Sequence, residues 1–319
     1  MSKLARKEKV RRYHAIYNQI CLNPRVHVHE ISKNLKFARN TVSEYLDHMY
    51  RSEILFGPEL RLKYHSGLEK YVHLVKFDDP YSAFDELQRV PEIDYCSMFL
   101  GDWNIMFISD EKYDPSHIKG FENLLFYGKR GNIFAPKTPL IGWKMAFERM
   151  RVHISNFDPD GRKEPNMPLE DPPPWDAEEW TLFHEYEYDF RKKVTPILRK
   201  HLISSEKFYQ WLDTIPDYTT ILTKFYPDGY GNYTHFGFLL KTEYPESVIA
   251  TLSHLPATIV CIQVEYGLMT MLSIKSDITF TDLSSTLHRM RTSNMIEGFH
   301  QAIGLIHYIG VEEGYAELR

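Results

Sequence analysis

Five polar side chains fall close together at Arg39, Asn40, Thr41, Ser43 and His48. Their types suit the reading of base edges. An arginine can meet guanine O6 and N7 with two hydrogen bonds, an asparagine can meet adenine N6 and N7, and hydroxyls bond either base. Such reading needs a rigid rod that fits the major groove, and the surrounding residues supply one. Val42, Tyr45, Leu46 and Met49 recur with helical period, Ile31 and Leu35 form a shorter set before them, and Lys36-Phe37-Ala38 breaks the two. Two short helices around a tight turn predict a helix-turn-helix between His29 and Leu55. Ordinary amphipathic helix pairs share this spacing, so a second signal is needed.

Charge provides it. Residues 1–78 carry 15 lysines and arginines against 8 acids, whereas the remainder carries 23 against 35. A basic head on an acidic body is expected of a polyanion binder, here double-stranded DNA. Arg11, Arg12, Arg51, Arg61 and Lys63 are the candidate phosphate grips. They would add affinity and salt dependence but little sequence information.

The 319 residues, 43% hydrophobic and 25% charged, have the makeup of a globular protein with two or three domains. No apolar run has a membrane span's length, and the basic N-terminus lacks a signal peptide's apolar core. Cys21, Cys96 and Cys261 are scattered, without disulfide or zinc spacing. A reducing cytoplasm is the expected compartment. There is no glycine-rich phosphate loop, GxSxG, HExxH or paired-cysteine motif, and the 15 histidines show no metal spacing. No catalytic residue, metal or cofactor is therefore expected.

In chain order, residues 8–22 predict a first helix ended by Asn23-Pro24. The helix pair follows, and Ile54-Leu55 opens a strand pair, the wing, in which Leu60, Leu62 and Tyr64 alternate with Arg61, Lys63 and His65. Residues 71–140 then predict β-α-β-β-α-β: strands at 71–78, 92–101, 103–110 and 132–140, with helices at 79–91 and 116–125. That is a ferredoxin-like plan. The open sheet face would carry Val72, Leu74, Tyr95, Ser97 and Ile105.

The pattern then returns. Tyr45-Leu46-Asp47 aligns with Trp211-Leu212-Asp213, and Tyr71 aligns with Tyr233. The chain thus reads as α+β, an internal duplication. A winged helix-turn-helix at 1–66 and a ferredoxin-like domain at 67–143 precede a Pro-rich acidic connector at 144–178. A degenerate second winged helix at 179–232 and a second ferredoxin-like domain at 233–319 follow. Residues 178–232 hold 7 basic against 9 acidic residues, and the second recognition helix carries Glu206, Asp213 and Asp217, so phosphates would repel it. The open face of the second sheet would carry Phe236, Phe238, Ile259, Cys261 and Met269, and the two sheets should pack through these faces.

These residues resemble the leucine-responsive, feast/famine transcription regulators, the Lrp/AsnC family. The segment ISKNLKFARNTVSEYLDHMYRSEIL is similar to their helix-turn-helix, and HSGLEKYVHLVKF to the start of their effector domain. Their LPxV…GxxD signature stands here as Val90-Pro91-Glu92-Ile93 and Gly101-Asp102-Trp103-Asn104. The resemblance covers about residues 8–140 and, more weakly, 179–310. It implies a sequence-specific DNA-binding regulator with a small-molecule effector near Gly101, Asp102 and Asn104. The family pairs through its effector domain, a pairing that a duplicated chain can form internally, and a single reading head per chain leads us to expect a homodimer. Lys36 and Ala38 stand where the family often has Gly and Ser, Asn104 replaces its final acid, and Glu265-Tyr266-Gly267 keeps little of the motif in the second copy. Siroheme decarboxylases resemble the same family and pair degenerate units, so a tetrapyrrole enzyme is the alternative. A sensor or scaffold that does not touch DNA is a third class.

Overall fold

The computed structural model describes residues 3–159, 167, 169–275 and 280–309. It opens with α1 (Lys3–Leu22), α2 (Val28–Leu35) and α3 (Arg39–Arg51). Tyr13, Ile16, Tyr17 and Ile20 of α1 recur at helical spacing and bury against Ile31, Val42, Leu46 and Met49. The α2–α3 turn passes through Lys36 in the left-handed conformation, φ 55°. Glycine adopts this most easily, and lysine bears it here at some cost.

After α3 comes β1 (Leu55–Leu62), followed by β2 (Tyr71–Phe77). The expected return strand of a local wing is not formed. Instead β1 pairs antiparallel with β6 (Thr219–Phe225), Leu55 opposite Phe225 and Leu62 opposite Thr219. Residues 63–70 offer no alternating run to fold back, and β6 meets the backbone donors and acceptors of β1 in its place. The ribbon exchanges core residues. Phe225 stacks on Tyr17 at 4.9 Å in the first helical core. Leu60 joins Trp211, Tyr186 and Phe208 in the core formed by α6 (Ala177–Tyr186), α7 (Val194–His201) and α8 (Ser205–Tyr218). Two arginines tie the helical groups together: Arg25 donates to the carbonyls of Phe190 and Lys192, and Arg191 to those of Pro24 and Val26.

The remaining strands close a barrel. β3 (Ile93–Gly101), β4 (Ile105–Ser109) and β5 (Phe121–Phe134) join β2, while β7 (Tyr233–Lys241), β8 (Val260–Val264), β9 (Gly267–Lys275) and β10 (Gly298–Ile309) form the second set. The order is β10-β3-β4-β2-β5-β8-β9-β7, with β7 pairing back to β10. The two sets meet edge to edge, β5 on β8 and β10 on β3. Their facing surfaces pack Val72, Leu74, Phe99 and Met106 against Ile262, Val264 and Met269 inside the barrel.

The expected open-face residues divide. Val72, Leu74, Tyr95 and Met269 belong to the barrel interior, and Ser97 shares the face of Tyr95. Ile105 instead packs outward with α4 (Pro80–Leu87). Phe236, Phe238, Ile259 and Cys261 pack outward with α9 (Pro245–Leu252), α10 (Phe280–Thr292) and the connector helix α5 (Trp143–Ser155). Alternate residues face opposite sides, so a one-residue error in phase moves a whole set.

A second correction concerns residues 116–125. The expected helix is a single 3-10 turn, Pro115–His117, and the expected strand at 132–140 is the longer, earlier β5. Asp114 accepts the Ser116 N–H at 3.0 Å, Gly120 turns the chain at φ 81°, and the β-prone run after Phe121 extends to reach both β2 and β8. Of the connector, 160–166 and 168 lie outside the described residues. Beyond them Glu170 bonds the Tyr64 carbonyl at 2.9 Å, and Trp175 enters the second helical core.

Among the described residues no helix is long and apolar enough to cross a membrane. The outer face of the first strand set buries His73 completely. Its ring stacks on Phe107 at 4.1 Å, and Nε2 lies 3.0 Å from Ser109 Oγ. Burial lowers its pKa to about 4. An unfolded histidine protonates near 6.5, so between those values the unfolded chain binds more protons. Stability should therefore fall by roughly 3 kcal/mol from this residue as pH drops through that window. Urea unfolding across it should give a shallower pH dependence for His73→Phe than for the wild type; matching slopes would refute the assignment.

Candidate functional site

The first helical group carries several of the residues expected to contact nucleic acid. Arg39 and Asn40 are exposed at the start of α3 and have no intramolecular side-chain partner among the described residues. Thr41 and Ser43 are half-buried beside them. Arg11 and Arg51 are exposed; Arg11 lies 3.9 Å from Glu8, and Arg51 Nε donates to the Asp47 carbonyl at 3.2 Å. Arg12 lies 3.3 Å from Glu8 and over the Phe37 ring.

The other expected contacts point elsewhere. His48 leans on Tyr13, with Nε2 3.3 Å from Lys9 Nζ. Burial first, then the charges of Lys9 and Arg51, lower its pKa, so it is a neutral packing group near pH 7. Lys63 donates to the Asp217 carbonyl at 2.9 Å. Arg61 is turned inward, 2.8 Å from Glu59 and also bonded to the Leu60 and Glu187 carbonyls. The β1–β6 pairing aims both of these cations at the second half of the chain.

The expected effector residues are structural ties. Gly101 lets β3 approach β10 where a Cβ would lie 2.5 Å from Ala302 Cα. Asp102 exchanges two bonds with the Gln301 backbone, each 2.9 Å. Asn104 is buried and bonds both backbone groups of Phe77, at 2.9 and 2.6 Å. None of the three lines the cavity at the barrel mouth.

A cavity of about 380 Å³ lies where the β1–β6 ribbon and the end of α6 roof the barrel mouth. Its floor is apolar: Phe99, Met106, Ile108, Ile133, Ile262 and Met271. Charged groups ring it. Glu59 sits in the roof, 2.6 Å from Lys224 and 2.8 Å from Arg61. Burial pushes its pKa up, but the two cations outweigh burial and hold the carboxyl below its usual range. Lys70 bridges Asp94 and Asp110 at the rim. Burial, assisted by the charge of Asp110, nevertheless raises Asp94.

Arg130 is different. It is 5% exposed and lines the cavity, yet its side chain makes no hydrogen bond or ion pair among the described residues, and Nε is orphaned. Burial first, then nearby Arg61, pull it down to about 10 against the opposing charges of Asp94 and Asp110, so it remains a cation at neutral pH. Opposite the floor, Tyr230 stacks on His235 at 3.8 Å, and His235 Nδ1 lies 3.0 Å from Ser273 Oγ. Burial pushes Tyr95 and Tyr188 up to about 12, so both are protonated at neutral pH. The arrangement can hold an anion against an apolar surface and present phenol and imidazole groups to it.

The sequence reading missed this site. Arg130, Lys224 and His235 sit alone in strand segments, and only their proximity in the barrel mouth gives them meaning. Among the described residues no group of three metal-ligating side chains is placed to hold an ion.

No protein-family model matches the sequence, and no curated protein matches it. Among solved structures, E. coli AsnC is similar at 13% identity with a TM-score of 0.31, over 37% of this chain and 88% of that one. The siroheme decarboxylase NirDL is similar at 10% identity and a TM-score of 0.43, over 94% and 93%. The same enzyme with an iron-uroporphyrin III analogue gives 9% and 0.40, over 89% and 87%.

A buried cation without a direct hydrogen bond or ion pair destabilises a fold. Arg130→Met keeps the length and removes the charge, so the ligand-free chain should gain roughly 1–3 kcal/mol in urea unfolding at neutral pH. A loss of stability would mean that the guanidinium has a compensating partner.

Proposed function

We propose that the chain is a sequence-specific DNA-binding transcription regulator made of two consecutive Lrp/AsnC-type units. Each unit is a helical head followed by a four-stranded sheet, the two heads share the β1–β6 ribbon in place of separate wings, and only the first head reads DNA. The observation that carries this reading is the start of α3, where Arg39 and Asn40 stand exposed and unengaged among the described residues. Lys33 and Lys36, exposed alongside, extend the basic surface. In the second head, Glu206 is exposed at the corresponding position, and Lys207 is paired with Asp176 and Glu179.

The reading set is narrower than the sequence implies. Arg39 and Asn40 contact bases, with Thr41 and Ser43 beside them, and Arg11, Arg12 and Arg51 grip phosphates. His48, Arg61 and Lys63 are engaged within the chain. One helix reads too few base pairs to select a genomic site, so the working species is a homodimer on two half-sites.

A second reading has its own observation. The cavity gathers His235, several tyrosines and four cationic side chains around an apolar floor, which suits an enzyme acting on a carboxylated tetrapyrrole, as a siroheme decarboxylase does.

Selection of bound sequences from a random DNA pool by the full chain, followed by anisotropy titration, tests the first reading. Arg39→Ala and Asn40→Ala should each cost about 1–3 kcal/mol and relax one base position. Arg11→Ala should lower the salt slope by roughly 0.9 without changing preference. Arg61→Ala should leave the salt slope unchanged, because that side chain grips no phosphate. If no sequence is enriched, and incubation with siroheme yields a product lighter by carbon dioxide, the enzyme reading replaces the regulator.

A further inference from the structure

The cations of the cavity can be matched with their anions. Arg61 and Lys224 share Glu59, and Lys70 spans Asp94 and Asp110. Glu187, the remaining acid in the wall, lies 3.8 Å from His184. Arg130 feels the surplus charge of Asp94 and Asp110 but bonds neither; it is almost wholly buried, with an orphaned Nε. A guanidinium in this state calls for a two-oxygen anion, which it can bind through a planar fork. The floor of the same cavity is apolar, with Ile133, Ile262 and Met271 in it, so a ligand that brings the anion should also bring an apolar body.

We infer that the barrel cavity is a binding site for an organic acid, with the carboxylate on Arg130 and an apolar, ring-sized body on the floor between the two strand sets. The site needs both halves of the chain. Arg130 and Ile133 come from β5, Ile262 from β8, Met271 from β9, and the roof from β1 and β6. The roof strands also supply Phe225 to the first helical core and Leu60 to the second. An occupant pressing on Glu59, Arg61 and Lys224 therefore presses on strands that are part of both heads, and the site is placed to report occupancy to the surface carrying Arg39 and Asn40. The binding claim stands on the cavity alone, independent of whether the head reads DNA.

The test uses two probes of one shape, 1-naphthoate and 1-naphthamide, titrated calorimetrically into the full chain. The acid should bind roughly ten- to a hundredfold more tightly than the amide, as expected for a charge-assisted hydrogen bond in a buried site. In Arg130→Met the preference should vanish while amide binding persists; Arg130→Lys should keep part of it. Equal binding of acid and amide by the wild type overturns the inference, and this comparison needs no variant. So does an acid preference that survives in Arg130→Met. Loss of DNA selection in the separate experiment leaves these outcomes untouched.

Discussion

A four-stranded sheet with helices on one side has two unmet needs: an apolar face in water and two edges with unpaired backbone groups. In this chain both are met by one arrangement. β5 accepts β8, and β10 accepts β3, so no strand of the eight is left as an edge. The same closure brings the two bare faces together around Val72, Leu74, Met106, Ile262 and Met269. The exchanged ribbon β1–β6 extends this logic to the helical groups, each of which completes its core with a residue from the other half. The halves are thus mutually dependent, and features at their junction, the cavity above all, belong to neither.

That junction is also where charge is buried. The roof trio of Glu59, Arg61 and Lys224 is stable because one carboxylate meets two cations at hydrogen-bonding distance. The rim trio of Lys70, Asp94 and Asp110 has the opposite stoichiometry. Paired groups of this kind fix the position of the ribbon over the barrel mouth. Arg130 follows a different rule, since Asp94 and Asp110 offset its burial only in part and its side chain makes no direct bond among the described residues. A fold tolerates such a residue when something outside the chain completes it.

The same ribbon explains the division of labour between cationic residues. Positions 61 and 63 alternate with Leu60 and Leu62, which in a free wing would point the charges at solvent. Once β6 lies alongside, that side faces the second half, and Arg61 and Lys63 become internal ties. Arg39 and Asn40 remain outside because Val42, Leu46 and Met49 hold the opposite side of α3 in the core. Basic residues alike in sequence are thereby separated into those left free at the surface and those tied to the second half of the chain.

The sequence by itself determined the local elements wherever one strong periodicity was present. The helix-turn-helix from its apolar spacing, the β2-α4-β3-β4 run and the strands of the second set could be read directly, because helix and strand periods reflect burial of one face. It did not determine the second helix of the first set, where Asp114-Pro115 and Gly120 permit only a turn, nor the strand phases at Ile105 and Phe236, where apolar residues occupy consecutive positions. Tertiary structure alone decided the partner of β1, the closure of the barrel and the cavity. Those depend on contacts between residues more than a hundred positions apart, such as Leu55 with Phe225 or Arg61 with Glu187, and no local spacing encodes which distant strand will satisfy an edge.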